Sequence, residues 1–340
     1  MRVFATVEGA LQSWINILAP FVLILLPVLL LAFGAFLIRF TVRGKSALRR
    51  FSRACLSLVL VVFIVGSPLF AVLRYRNRPN LRVLRSTVGE IYSLESGITA
   101  FKTRFGVNPP SLLHLCENPD DWGSEPYSRR IIKRIWPQFN FALERDLNRD
   151  GDSSDRILID GAECLVFFLR GVVDPESGQP RGFSKNPADP FGIDNGSRDG
   201  PFFAFDGLLI DRVFAGRFID ADNDEFPEHP DQFHGASWPA GQVPYIYLSS
   251  YDGAGYSQAD VDAVAHLSPS PLKSWYVKGP DVPFKPDSYQ IISAGPDGLF
   301  GDGCLVENVQ PSWYEVKPDR GPEYDNVTNF HFGRLGDLAP

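Results

Sequence analysis

The sequence predicts an α+β protein in which two N-terminal transmembrane helices precede one long helix and a head domain built on an antiparallel β-sheet with long insertions. The first observation is hydropathy, because long uncharged apolar segments occur only in the first 78 residues. The second is periodicity, since one helical stripe is followed by short alternating runs and by loops rich in Gly, Pro and Asp. The third is charge, which is +11 up to Arg85 and −18 in the remaining chain. We therefore predict a membrane anchor at residues 1–78, a stalk helix at 79–110 and an acidic globular head at 111–340.

Two uncharged segments predict the transmembrane helices, at about residues 13–38 and 54–73, because about 20 apolar residues span a bilayer. The loop between them carries six Lys or Arg residues and no acid, so the positive-inside rule places it in the cytoplasm. Five further Arg residues between Arg74 and Arg85 weigh against this orientation. We expect a protein of the cytoplasmic (inner) membrane with an extracytoplasmic, periplasmic head.

The acidic head limits the classes of partner. Its charge disfavours nucleic acid, whose phosphates need Lys and Arg, and suits cations. Cys116, Cys164 and Cys304 show no C-x-x-C spacing, which argues against a zinc site. The sequence is compatible with two states: one pair of them forms a disulfide, or all three remain buried thiols.

The stalk helix is predicted by apolar residues at steps of three and four from Leu81 to Phe105. Gly106 stands where a left-handed helix cap belongs, and Pro109 and Pro110 prevent the helix from resuming. Further predicted elements are a helical turn at Leu112–Cys116, helices at Ser128–Trp136, Gly161–Val173 and Asp260–His266, short strands within Phe202–Phe218, and strands at Val243–Ser249 and Ser288–Ser293.

Three acidic loops are candidate cation sites. In the first, a strand leads into the Gly-rich run S-A-G-P-D-G-L-F-G-D-G at residues 293–303, where Asp297 and Asp302 supply carboxylates. Taken alone, this run is more typical of a solvated turn. The second and third candidates alternate oxygen-bearing side chains, the spacing that calcium loops use. Their members are Asp146, Asn148, Asp150 and Asp152 in the second, and Asp220, Asp222, Asp224 and Glu228 in the third. A solvated acidic turn is the alternative for both.

Five segments occur in an order that resembles one known family. They are A-F-K-T-R-F-G-V-N-P-P-S at the end of the stalk helix, D-P-F-G at residues 189–192, P-Y-I-Y at 244–247, S-Y-Q-I-I-S-A-G-P-D-G-L-F-G-D-G at 288–303 and Y-D-N-V-T-N-F at 324–330. This series is similar to the major pseudopilins of type II secretion. The N-terminus departs from that family's precursors, because the second uncharged segment has neither a preceding Gly-aromatic pair nor a Glu.

The resemblance implies a pilin-like helix packed on a sheet and a structural, non-enzymatic role among other pseudopilins or secretion-system components at the membrane. It also implies a Ca²⁺ ion held by Asp297, Asp302 and Asp325, with Ser293 and Phe300 as backbone carbonyl donors. Two alternatives remain open. One is a membrane-anchored calcium-dependent adhesion or recognition module, which would use the same acidic loops. The other is an exported hydrolase, although the sequence has no G-x-S-x-G or H-E-x-x-H motif.

Overall fold

The structure, a computed structural model, describes residues 81–174, 177–193, 196–205, 220–222, 224–233, 243–279, 282–303 and 321–336. The chain divides into two units, Met1–Arg78 and Pro79–Pro340, and every described residue belongs to the second. Both predicted transmembrane segments lie outside the described residues.

The predicted fold class requires correction. The described part of the chain is α+β with antiparallel sheets, but none of its helices is long and apolar enough to cross a membrane. The strands also do not form one sheet, since they are two to five residues long and make two two-stranded and two three-stranded sheets in the described ranges.

The predicted stalk helix is confirmed as α1, Leu81–Phe105. Its buried face includes Ile91, Leu94, Ile98 and Phe101, and it packs against the helix at Gly161–Arg170 and the strand at Val327–Thr328. Gly106 ends the helix with φ +80°, and its N–H donates to the Lys102 carbonyl at 2.7 Å.

The segment after α1 differs from the prediction. Leu113–Cys116 is a strand, β1, and not a helical turn, and only His114 among its four residues is not fully buried. It pairs antiparallel with β2, Arg156–Ile159. Helix α2, Pro126–Ile135, lies between these strands in the chain and confirms the helix predicted there.

Helix α3, Gly161–Arg170, confirms the predicted buried helix, although it stops three residues earlier than expected. Gly171 turns the chain at φ +72° into β3, Val172–Val173. Strand β4, Pro180–Ser184, then pairs with both β3 and β5, Arg198–Asp199. Among residues 202–205 no strand is present, and the rest of the Phe202–Phe218 prediction lies outside the described residues.

The remaining strands connect the end of the chain to its middle. Strand β6, Ile246–Ser249, and strand β9, Tyr289–Ser293, confirm two predicted strands and pair antiparallel, and β10, Val327–Thr328, pairs with the other edge of β9. Between β6 and β9 lie helix α4, Gln258–Ala263, and the hairpin formed by β7, Val277–Gly279, and β8, Val282–Pro283. The loops that follow β9 and precede β10 are thereby brought side by side.

Candidate metal centres

The first candidate loop places Asp297 beside Asp325. Asp297 ends the short 3₁₀ turn after β9, and Asp325 lies just before β10, so the pairing of these strands brings the two carboxyl groups together. Burial raises the pKa of Asp297 to about 6. Burial, and then the charge of Asp297, raise the pKa of Asp325 to about 8. The Asp325 Oδ1 atom is buried and accepts no hydrogen bond from any described residue.

Gly295 makes this close approach possible. It has φ +65°, and a Cβ atom built on it would lie 2.3 Å from the Asp325 carbonyl oxygen. A side chain at this position would therefore push the two loops apart.

The other three residues of the first candidate set have different partners. Asp302 is exposed and forms an ion pair with Lys273 at 2.6 Å. Ser293 pairs with Val327 in the sheet, and the Phe300 carbonyl accepts a hydrogen bond from Asn326 Nδ2 at 2.9 Å. Of the five residues, the structure thus brings only the carboxylates of Asp297 and Asp325 together.

The second candidate loop is a series of tight turns. The carboxylates of Asp146 and Asp150 accept backbone N–H groups of their own loop, and Asn148 Nδ2 donates to Asp155 Oδ2 at 3.1 Å. Only Asp152 joins a group of three carboxylates, with ligand atoms within 4.8 Å of one another, and its companions are Asp155 and Glu117. Sequence reasoning missed Glu117, which is 29 residues from the start of the loop.

Glu117 already has protein partners for both carboxylate oxygens. Its Oε1 atom accepts the N–H groups of Leu147 and Asn148, and its Oε2 atom accepts that of Asp155 at 3.3 Å. Burial raises the pKa of Glu117, and these three N–H groups act in the opposite direction. These hydrogen bonds tie the Glu117 carboxylate to the 146–155 loop.

The third candidate loop faces the start of helix α3. Asp222 and Asp224 lie with Glu163 in a second group of three carboxylates, whose ligand atoms are within 4.8 Å of one another. Glu228 is fully buried and accepts the Ala221 N–H at 3.3 Å. Asp220 instead shapes the loop by accepting the N–H groups of residues 224 and 225.

Sequence reasoning also missed Asp160 and Glu163. Asp160 caps helix α3, and Glu163 completes a capping box with it. The signal was present, because D-x-x-E before an apolar run is typical of this cap, and Glu163 is the only acid in the otherwise apolar first two turns. Both carboxylates are nearly inaccessible, with Asp160 3% and Glu163 1% exposed.

Burial and mutual repulsion favour the neutral form of these acids. Burial first, then the neighbouring acids, raise the pKa of Glu163 to about 11 and that of Glu228 to about 8. Burial likewise raises the pKa of Asp224 to about 7 and that of Asp160 to about 6. A divalent cation would reverse this preference, because it favours the ionised form of every carboxylate that it contacts.

The described cysteines are buried, and two of the histidines each lie beside a glutamate. Cys116 and Cys164 are buried free thiols, whereas Cys304 lies outside the described residues. His114 Nδ1 lies 3.0 Å from Glu125, and His229 Nε2 lies 3.0 Å from Glu90 on α1.

Comparisons with protein-family models, with curated proteins and with solved structures found no protein that matches this chain.

Proposed function

We propose that this chain is a structural, non-enzymatic protein with a calcium-stabilised head, and that it acts as a pseudopilin-like component of a type II secretion or related pilus-like assembly. The observation that carries the proposal is the contact between Asp297 and Asp325. The two residues are 28 positions apart in the sequence, and the resemblance implies both as ligands of one ion.

The residues at this position fit a hard cation. Both ligands are carboxylates, one oxygen of Asp325 is buried without a hydrogen bond from the described residues, and the like charges repel each other. Calcium prefers oxygen ligands and tolerates irregular geometry, so a loop rich in Gly and carbonyl groups suits it. Bound there, the ion would join the turn after β9 to the turn before β10 and so fix the last strand.

The segments that carry the resemblance also pack against one another. The Tyr247 hydroxyl, in β6, donates to the carbonyl of Pro109, just after α1, at 2.8 Å. Asn329, after β10, donates to Glu95 on α1 at 2.9 Å. The helix end, the two strands and the C-terminal segment thus form one continuous unit around α1. Such a unit is what a pilin-like subunit needs in order to carry its head on its helix.

In this proposal the partners are other pilin-like subunits, and the head lies outside the cytoplasm. Chemical crosslinking in cells that carry the gene, followed by mass spectrometry, tests the assembly. We expect crosslinks from the 81–105 helix or the head to other pilin-like chains. Crosslinks only to unrelated soluble enzymes would contradict the assembly role.

The calcium component is tested on the full-length chain by thermal unfolding in CaCl₂ and in chelator. Asp297→Asn and Asp325→Asn should each reduce the calcium-induced rise in the melting temperature. Asp302→Asn is the matched control. It removes a carboxylate from the same loop, but this carboxylate pairs with Lys273 and not with Asp325. An equal loss of the rise in Asp302→Asn would contradict the assignment of Asp297 and Asp325.

A further inference from the structure

Five carboxyl groups gather at the start of helix α3, and we call them the α3 carboxylate cluster. They come from two separate parts of the chain: the start of the helix, with its cap and first turn, and the loop that contains residues 220–228. The members are Asp160, Glu163, Asp222, Asp224 and Glu228.

The capping box uses only half of the oxygen atoms that Asp160 and Glu163 offer. Asp160 Oδ1 accepts the N–H groups of Ala162 and Glu163, and Glu163 Oε2 accepts the N–H of Asp160 at 2.7 Å. The remaining atoms, Asp160 Oδ2 and Glu163 Oε1, are buried and take no part in the cap. Glu163 instead lies close enough to Asp224 for the two carboxyl groups to share a hydrogen bond. Glu163 lies within ligand distance of Asp222 and Asp224, whereas Asp160 Oδ2 lies 3.9 Å from His266 Nε2.

Positive charge near the cluster is scarce. Among the described residues no Lys or Arg forms an ion pair with any of its members, and His266 is the basic group found beside it, with Nε2 3.9 Å from Asp160 Oδ2. Buried carboxylates in native proteins are normally paired with a cationic group or coordinate a metal. The described residues therefore do not supply enough positive charge to balance the five carboxyl groups.

The cluster also has little freedom to spread apart. A Cβ atom built on Gly161 would lie 2.0 Å from the Tyr247 carbonyl oxygen, so the start of α3 is pressed against β6. Glu228, on the facing side, is fully buried. Glu163 and Glu228 are therefore held in the interior by this packing, whereas Asp222 lies at the surface.

We propose that the α3 carboxylate cluster binds a divalent cation, calcium in preference to magnesium, and that this ion fixes the loop containing residues 220–228 to the start of helix α3. Calcium accepts six to eight oxygen ligands in flexible geometry, which suits acids from two distant chain segments. Magnesium usually retains several waters and uses only one or two carboxylates. This site is separate from Asp297 and Asp325, and it does not depend on a role in secretion.

The carboxylate group around Glu117 provides an internal comparison. Its three acids lie as close together as Glu163, Asp222 and Asp224 do in the α3 carboxylate cluster, but its buried member, Glu117, accepts three backbone N–H groups that engage both of its oxygens. We assign an ion to the α3 carboxylate cluster and none to the Glu117 group. Asp152, an exposed member of that group, supplies a control substitution.

The test is isothermal titration calorimetry on the full-length chain, freed of metal with chelator, with CaCl₂ and separately with MgCl₂. The informative variant is Glu163→Gln, since Gln at this position keeps the capping-box hydrogen bond and so preserves the helix start. Asp224→Asn is a second variant that leaves the cap untouched. Asp152→Asn and Asp297→Asn complete the set.

We expect Glu163→Gln and Asp224→Asn each to weaken one calcium-binding event at least ~10-fold, the lower range for removing a group that supports a metal. Asp152→Asn should leave that event unchanged. Asp297→Asn should also leave it unchanged while abolishing a different event, which separates this site from the one in the proposed function. The inference is overturned if Glu163→Gln and Asp224→Asn bind calcium as the wild-type chain does, or if magnesium binds to this site as tightly as calcium.

Discussion

Replacing Gly295 by Ala should destabilise the head domain. The position requires φ +65°, a left-handed conformation that costs a non-Gly residue about 1–2 kcal/mol. The added Cβ would also lie 2.3 Å from the Asp325 carbonyl oxygen, well inside van der Waals contact. Relieving such overpacking costs typically about 1–3 kcal/mol. The two effects together predict a loss of about 2–5 kcal/mol in the free energy of unfolding.

Urea denaturation of the full-length chain in chelator, followed by circular dichroism, measures this loss. Gly89→Ala is the matched control, because Gly89 lies in α1 and a Cβ atom there meets nothing within 4 Å. That substitution should stabilise the protein by about 0.5–1 kcal/mol, since Ala favours helix over Gly. If Gly295→Ala proved as harmless as Gly89→Ala, the close approach of the two loops described above would be wrong.

Three further predictions concern the core, the thiols and the dependence on pH. Phe101→Ala should lower the free energy of unfolding, measured by urea denaturation, by about 3–5 kcal/mol, because the ring is fully buried and packs edge-on against Phe168 and Phe202. Cys116 and Cys164 should resist maleimide labelling until the protein is unfolded, since both are buried and burial raises the pKa of Cys116 to about 11; rapid labelling of the folded chain, seen by mass spectrometry, would contradict this. For Glu90, burial raises the pKa, but the hydrogen bonds to its carboxylate and the charge of His229 lower the pKa by a larger amount, so the net shift is downward. The stability from this contact is therefore present above the unfolded pKa of Glu90 and is lost as the pH falls through the lower folded value, so Glu90→Gln should flatten the acid side of a plot of stability against pH.

Elements with a long repeating pattern were predictable from the sequence. Helix α1 has seven turns of apolar spacing and a Gly cap, so both its existence and its end at Phe105 follow from local chemistry. Strand β1 was not predictable in this way, because Leu113–Cys116 is too short to separate a strand from a helical turn. Its conformation is decided by pairing with β2, which lies about 40 residues away in the sequence.

The candidate sites show the same division. Alternating acids identified Asp222 and Asp224, but Glu163 is 59 positions upstream and its local pattern is that of a helix cap. Asp302 had suitable spacing, yet the turn directs its carboxylate to Lys273. Spacing within one loop predicts which oxygens are available, whereas the packing of distant segments decides which of them meet.

If bound cations hold this head together, thermal unfolding of the full-length chain must differ between CaCl₂ and chelator. An ion that binds only the folded state adds about 2.7 kcal/mol per site at a hundred-fold excess over its dissociation constant. We predict a clear rise in the melting temperature with calcium, reduced in part by Asp297→Asn and in part by Glu163→Gln. The same melting temperature in calcium and in chelator would contradict the claim.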